Sequence, residues 1–122
     1  MEHFDLQIPP GLDPELATLV AAWTDGTREW LAEAGEISDQ AVIQPCGANN
    51  VSIGALMLHM IDCDEGWFSS MFGVRLAQPS PASELGRAVD VDGRKFPTPP
   101  AWPFAKYVEI MQETRAELVA GL

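Results

Sequence analysis

Basic residues, cysteines and long apolar runs are all scarce in this chain, and each scarcity closes off a class of function. Lysine and arginine number 7 against 18 aspartates and glutamates, a formal charge of −11 over 122 residues. A surface of that sign repels phosphate backbones and anionic headgroups, so neither nucleic acid nor a membrane surface is an expected partner. No apolar run approaches the roughly 18 residues of a membrane span. The start Met1-Glu2-His3-Phe4-Asp5 lacks the basic residues of a signal peptide. Two cysteines, Cys46 and Cys63, are too few for a disulfide scaffold, and a reducing, cytoplasmic setting is expected. Glycine-rich phosphate loops, Cys-x-x-Cys, His-Glu-x-x-His and Gly-x-Ser-x-Gly are absent as well. With two histidines in all, His3 and His59, one copy cannot complete a three-histidine metal site.

What is present is apolar bulk. Apolar residues make up 47% of the chain, with four tryptophans and five phenylalanines, which suffices for one small core and argues against disorder. The expectation is a single domain over 1–122, with an extended arm at 1–12 ending in Ile8-Pro9-Pro10-Gly11. Asp13-Pro14-Glu15 reads as a helix start, with a capping carboxylate, a proline at the first helical position and an acid in the first turn. Leu16, Leu19, Val20, Trp23, Thr27, Trp30, Leu31 and Ala34 then recur at helical spacing until Gly35, across an interruption at Gly26.

Residues 36–49 read as a connection. A second helix is expected from about Asn50–Ser52 to Phe72, with a stripe of Ile53, Leu56, Met57, Met60, Ile61, Trp67, Phe68 and Met71, and Asp64 on the same face. Residues 74–102, punctuated by Pro79, Pro81, Pro97, Pro99 and Pro100, read as a long connection with a short helical stretch at Ala82 to Val89. The third long helix runs from about Pro103 through Phe104, Tyr107, Val108, Met111, Thr114 and Leu118. Lys106, Glu109, Glu113, Arg115 and Glu117 form its solvated face. No alternating strand pattern occurs. Three amphipathic helices imply an all-α, up-down helical bundle.

One segment has metal-ligand character: His59-Met60-Ile61-Asp62-Cys63-Asp64-Glu65. At 100° per residue, His59 and Cys63 lie within about 40° of each other and one turn apart, with Asp62 on the flank. Imidazole and thiolate together suit Zn, Ni or Fe better than Mg or Ca. Asp64 points about 140° away from His59. Plainer readings stand beside these. His59 also fits a hydrogen-bonded packing residue, and Cys63 a small buried hydrophobe. Asp64 also fits a partner for Arg28, Arg94, Arg115 or a helix terminus. His3 reads as solvated, Cys46 in Pro45-Cys46-Gly47 as an incidental loop thiol, and Trp23 and Trp30 as core.

The run from Asn50 to Phe68 resembles the second helix of the DinB-like (YfiT-like) metalloenzyme superfamily. That helix has a polar start, a small apolar run, one histidine, an acid about five residues later and an aromatic pair. His59, Asp64 and Trp67-Phe68 stand in those places, and Trp23, Trp30-Leu31 and the 94–118 stretch are compatible with it. The resemblance implies a four-helix bundle, commonly a homodimer, in which three histidines hold a divalent transition metal. One histidine comes from the second helix and a His-x-x-x-His pair from the fourth. It also implies chemistry on a small-molecule substrate, of thiol-dependent transferase or hydrolase type, with a low-molecular-weight thiol as cosubstrate.

Only His59 carries over as a ligand, with Cys63 or Asp62 as auxiliary ligands. The sequence stops before a fourth helix, which is therefore missing by truncation or supplied elsewhere, and the 74–102 connection is expected to shape the substrate entrance. The alternative is a non-catalytic helical module with a vestigial site, dimerising or binding a basic protein partner through an incompletely covered apolar face.

Overall fold

A computed structural model describes residues 6–122 of the chain. The first five residues, His3 among them, lie outside the described residues, as does the start of the expected arm. The chain divides into two compact units, Met1–Glu36 and Ile37–Leu122. Five helices and no strand are found among the described residues, an all-α structure as the sequence implied.

The first unit holds α1 (Pro14–Ala34). Its start is the expected one. The Asp13 carboxylate accepts from the Glu15 amide at 3.0 Å, satisfying a donor the first turn leaves open, and Pro14 occupies a position that needs no donor. Gly35, at φ 61°, ends the helix in a conformation that a β-carbon penalises, and its amide donates to Leu31 at 3.2 Å. The helix is continuous through Gly26. Thr27 returns its hydroxyl to the Trp23 carbonyl at 2.9 Å, and Arg28 pairs with Asp25 at 3.0 Å.

The second unit is built around α3 (Ile53–Phe72), against which α2 (Asp39–Ile43), α4 (Pro81–Arg87) and α5 (Phe104–Ala120) pack. Ser52 caps α3 by accepting from the Ala55 amide at 3.2 Å, and Gly73 closes it in the left-handed region. The buried apolar side chains include Val42 of α2, Met57, Leu58 and Ile61 of α3, and Tyr107, Met111 and Leu118 of α5. Each contributes roughly 1.5–3 kcal/mol by leaving water.

Gly86 lets α4 lie directly on α3. A β-carbon there would collide with the Leu58 carbonyl and sit 2.8 Å from the Asp62 β-carbon. Gly54 makes similar room for Pro99 and Tyr107. The sole tyrosine of the chain, Tyr107, donates its hydroxyl to the Pro100 carbonyl, and burial pushes its pKa up to about 12.

Two expectations change, in the 36–49 connection and the α3 stripe, while the helical stretch expected at Ala82 to Val89 is present as α4. The 36–49 connection contains a short helix, α2, capped by the Ser38 hydroxyl on the Ala41 amide. The 74–102 connection is tied down along its length. Val74 is buried, the Ala77 amide donates to Glu117 at 2.9 Å, α4 follows, and Asp90 and Lys95 exchange two backbone hydrogen bonds of 2.8 Å. The α3 stripe is not one inward face. Met57 and Ile61 point in, whereas Leu56 is 41%, Trp67 64% and Met71 63% exposed.

Candidate functional site

α3 is apolar nearly all round, and its two sides part company. Gly54, Ala55, Met57, Leu58 and Ile61 are buried. On the opposite side, Leu56, Met60, Cys63, Trp67 and Met71 fall within a sector of about 80°, at 100° per residue, with His59 on its edge. His59 and Cys63 are half-buried within that second side.

The two side chains meet there, as the i, i+4 spacing predicts. The Cys63 sulfur stands 3.5 Å from His59 Nε2 and 3.9 Å from Nδ1. That is a sulfur–imidazole hydrogen bond, which fits the packing reading. It also brings together two donor types that zinc takes, although the sulfur lies beside the ring and not in line with a nitrogen lone pair. Burial pushes the Cys63 thiol above its ordinary pKa, and the charges of Asp62 and Asp64 push in the same direction. Cys63 is therefore a poor free nucleophile at neutral pH.

Each neighbouring carboxylate faces an arginine. Asp62, expected as an auxiliary ligand, faces Arg87 of α4 at 3.5 Å, in the position that the close approach at Gly86 provides. Asp64 binds Arg115 Nε at 2.7 Å, with side chains only 16% and 12% exposed. Arg115 thus leaves the solvated face assigned to it and ties α5 to α3. Burial raises the pKa of Asp64, while the Arg115 hydrogen bond and charge act against that rise. Among the described residues, no group of three or more His, Cys, Asp or Glu side chains is arranged to hold a metal ion. The local donor set is one imidazole and one thiol.

A separate cleft of about 680 Å³ opens between residues 76–81 and α5, walled by Pro79, Pro81 and Pro103 and rimmed by Glu109, Glu113 and Glu117. Part of the proline-rich connection does shape a cavity. That cavity contains none of His59, Asp62 and Cys63, so it lies apart from the His59–Cys63 pair. Sequence spacing gave no sign of the cleft, because two segments distant in the chain, 76–81 and 103–117, create it.

The remaining sequence candidates carry less. Cys46 is exposed and donates its thiol to the Val51 carbonyl at 3.3 Å. Trp23 and Trp30 are half-buried rather than fully buried. Among the described residues, no helix is long and apolar enough to cross a membrane. No family model, curated protein or solved structure matches this chain.

Proposed function

We propose that this chain is a metal-binding helical-bundle protein of DinB-like character, with His59 as a ligand on α3 and Cys63 beside it. The observation that carries this reading is the meeting of His59 and Cys63 on one side of α3, an imidazole and a thiol being donor types that zinc takes. The softness of the donor pair favours Zn, Ni or Fe. A bound ion of this class lowers the pKa of a water or thiol held at an open position, which is the chemistry a thiol-dependent transferase or hydrolase needs. His59 and Cys63 would fix the ion to a rigid helix. The Asp62–Arg87 and Asp64–Arg115 pairs keep the adjoining carboxylates oriented and charge-balanced.

The test is elemental analysis of protein purified without a histidine tag or chelator. A first-row divalent metal is expected, and His59→Ala should lose it while retaining the helical circular-dichroism signal. Protein that carries no such metal, even after incubation with zinc chloride, overturns the proposal.

A second reading has its own support. The exposure of Leu56, Trp67 and Met71 on the same side of α3 also suits a non-catalytic interaction module. A tight, metal-free dimer whose melting temperature ignores added metal would favour that module.

A further inference from the structure

We propose that the cleft between residues 76–81 and α5 binds a linear aliphatic diamine, its two ammonium groups held by Glu109 and Glu113 and its methylene chain lying along the proline wall. The cleft belongs to the second unit and shares no residue with the His59–Cys63 pair, so this inference stands or falls apart from the metal-binding reading. Its volume of about 680 Å³ lies within the range of about 300–1,000 Å³ that small-molecule sites occupy. Pro79, Pro81 and Ile110 give it apolar walls, and Glu109, Glu113 and Glu117 follow one another at one-turn spacing along the rim. Like charges at that spacing repel, and a bound cation relieves the repulsion.

Glu117 accepts the Ala77 amide at 2.9 Å and so ties the wall to the helix. Glu109 and Glu113 pair with no cation among the described residues. Lys106, the one basic residue in the lining, holds its ammonium over the Trp102 ring, 4.6 Å from the centroid. Thr114 is an independent sign of a ligand. It is only 5% exposed and lines the cleft. Thr18 and Thr27 of α1 return their hydroxyls to the carbonyl one turn back, each at 2.9 Å. The Thr114 hydroxyl bonds to no described residue and, unlike that of Ser83, is not sealed from solvent, so it is open to a donor in the cleft. Among the described residues, no three acidic, histidine or cysteine side chains converge on a metal ion, these glutamates included. Apolar walls also suit methylenes better than a hydrated ion. Two carboxylates about 6 Å apart along the helix axis match two ammonium groups joined by a short alkyl chain. The net charge of −11 attracts a ligand of that sign.

The experiment is a calorimetric titration of the 122-residue chain with butane-1,4-diamine in a low-salt, amine-free buffer, paired with amide chemical shifts of isotope-labelled protein. Saturable binding of one diamine per chain is expected, with shift changes confined to residues 76–81 and 103–117. Glu109→Gln and Glu113→Gln, both at exposed positions, should each weaken binding about fivefold. Thr114→Val should weaken it about threefold, and butan-1-amine should bind about tenfold more weakly than the diamine. Glu29→Gln and Glu33→Gln on α1, together with His59→Ala, should leave the affinity unchanged. Shift changes spread over the acidic surface, or an equal loss with Glu29→Gln, would reduce the effect to counterion association and overturn the site. Equal affinity for the monoamine overturns the two-carboxylate arrangement, and tighter binding of an oligolysine peptide than of the diamine overturns the choice of ligand.

Discussion

The two sides of α3 are built from similar residues and do different work. The inner side is small and aliphatic where other helices press closest, with Gly54 and Ala55 at its start and Met57, Leu58 and Ile61 filling the space below. The outer side carries larger groups, Trp67 and Met71, together with the one histidine and the one cysteine of the helix. Hydrophobicity alone does not tell them apart. What differs is which side of the helix its neighbours cover, Gly54 of α3 and Gly86 of α4 permitting the approach that brings residues 99–107 and α4 against it. The chemistry-bearing pair stands on the side that this packing leaves uncovered.

The sharpest way to break this comparison is to truncate one residue on each side. Ile61→Ala removes a side chain with no exposed surface and should cost about 4 kcal/mol through lost burial and the cavity left behind. Trp67→Ala removes a larger side chain from the outer side and should move the stability of the metal-free chain by no more than about 0.5 kcal/mol. Urea unfolding followed by circular dichroism measures both, and comparable losses at the two positions would erase the distinction.

Asp64→Ala comes next, with an expected loss of about 3 kcal/mol, since it strands the Arg115 guanidinium in a largely buried position. Thermal melts of this variant against Arg115→Ala and the double variant should show strong coupling, and additive losses would mean that the pair does not link α3 to α5.

The smallest effect concerns Tyr107. Its folded pKa is raised from 10.0 to about 12, so the folded chain holds a proton that the unfolded chain releases. Stability from this group is complete below pH 10 and is lost as pH rises toward 12, by at most about 1.4 kcal/mol per pH unit. Because the chain has one tyrosine, phenolate absorbance reports it directly. Ionisation near pH 10 without unfolding would place Tyr107 in contact with water.

Much of this fold was legible in the sequence because local chemistry decides it. Asp13-Pro14 and Gly35 bracket α1, and Ser52 and Gly73 bracket α3, where a side-chain cap or a left-handed glycine leaves the backbone few alternatives. The short α2 was not legible, because five residues give too little periodicity. The i, i+4 meeting of His59 and Cys63 also followed from helix geometry alone. The split of the α3 stripe did not, since neighbours distant in sequence decide which apolar side is covered. Asp64–Arg115 lay between these cases. A carboxylate on an apolar helix needs a cation, but only the packing of α5 selects Arg115 from the arginines available.

The claim on which the rest depends is that the His59 nitrogen and the Cys63 sulfur bind the same ion. X-ray absorption at the zinc edge of the zinc-loaded protein tests it most directly. A mixed shell is expected, with sulfur at about 2.3 Å and imidazole nitrogen at about 2.0 Å. A shell of nitrogen and oxygen alone, with no sulfur, would contradict it.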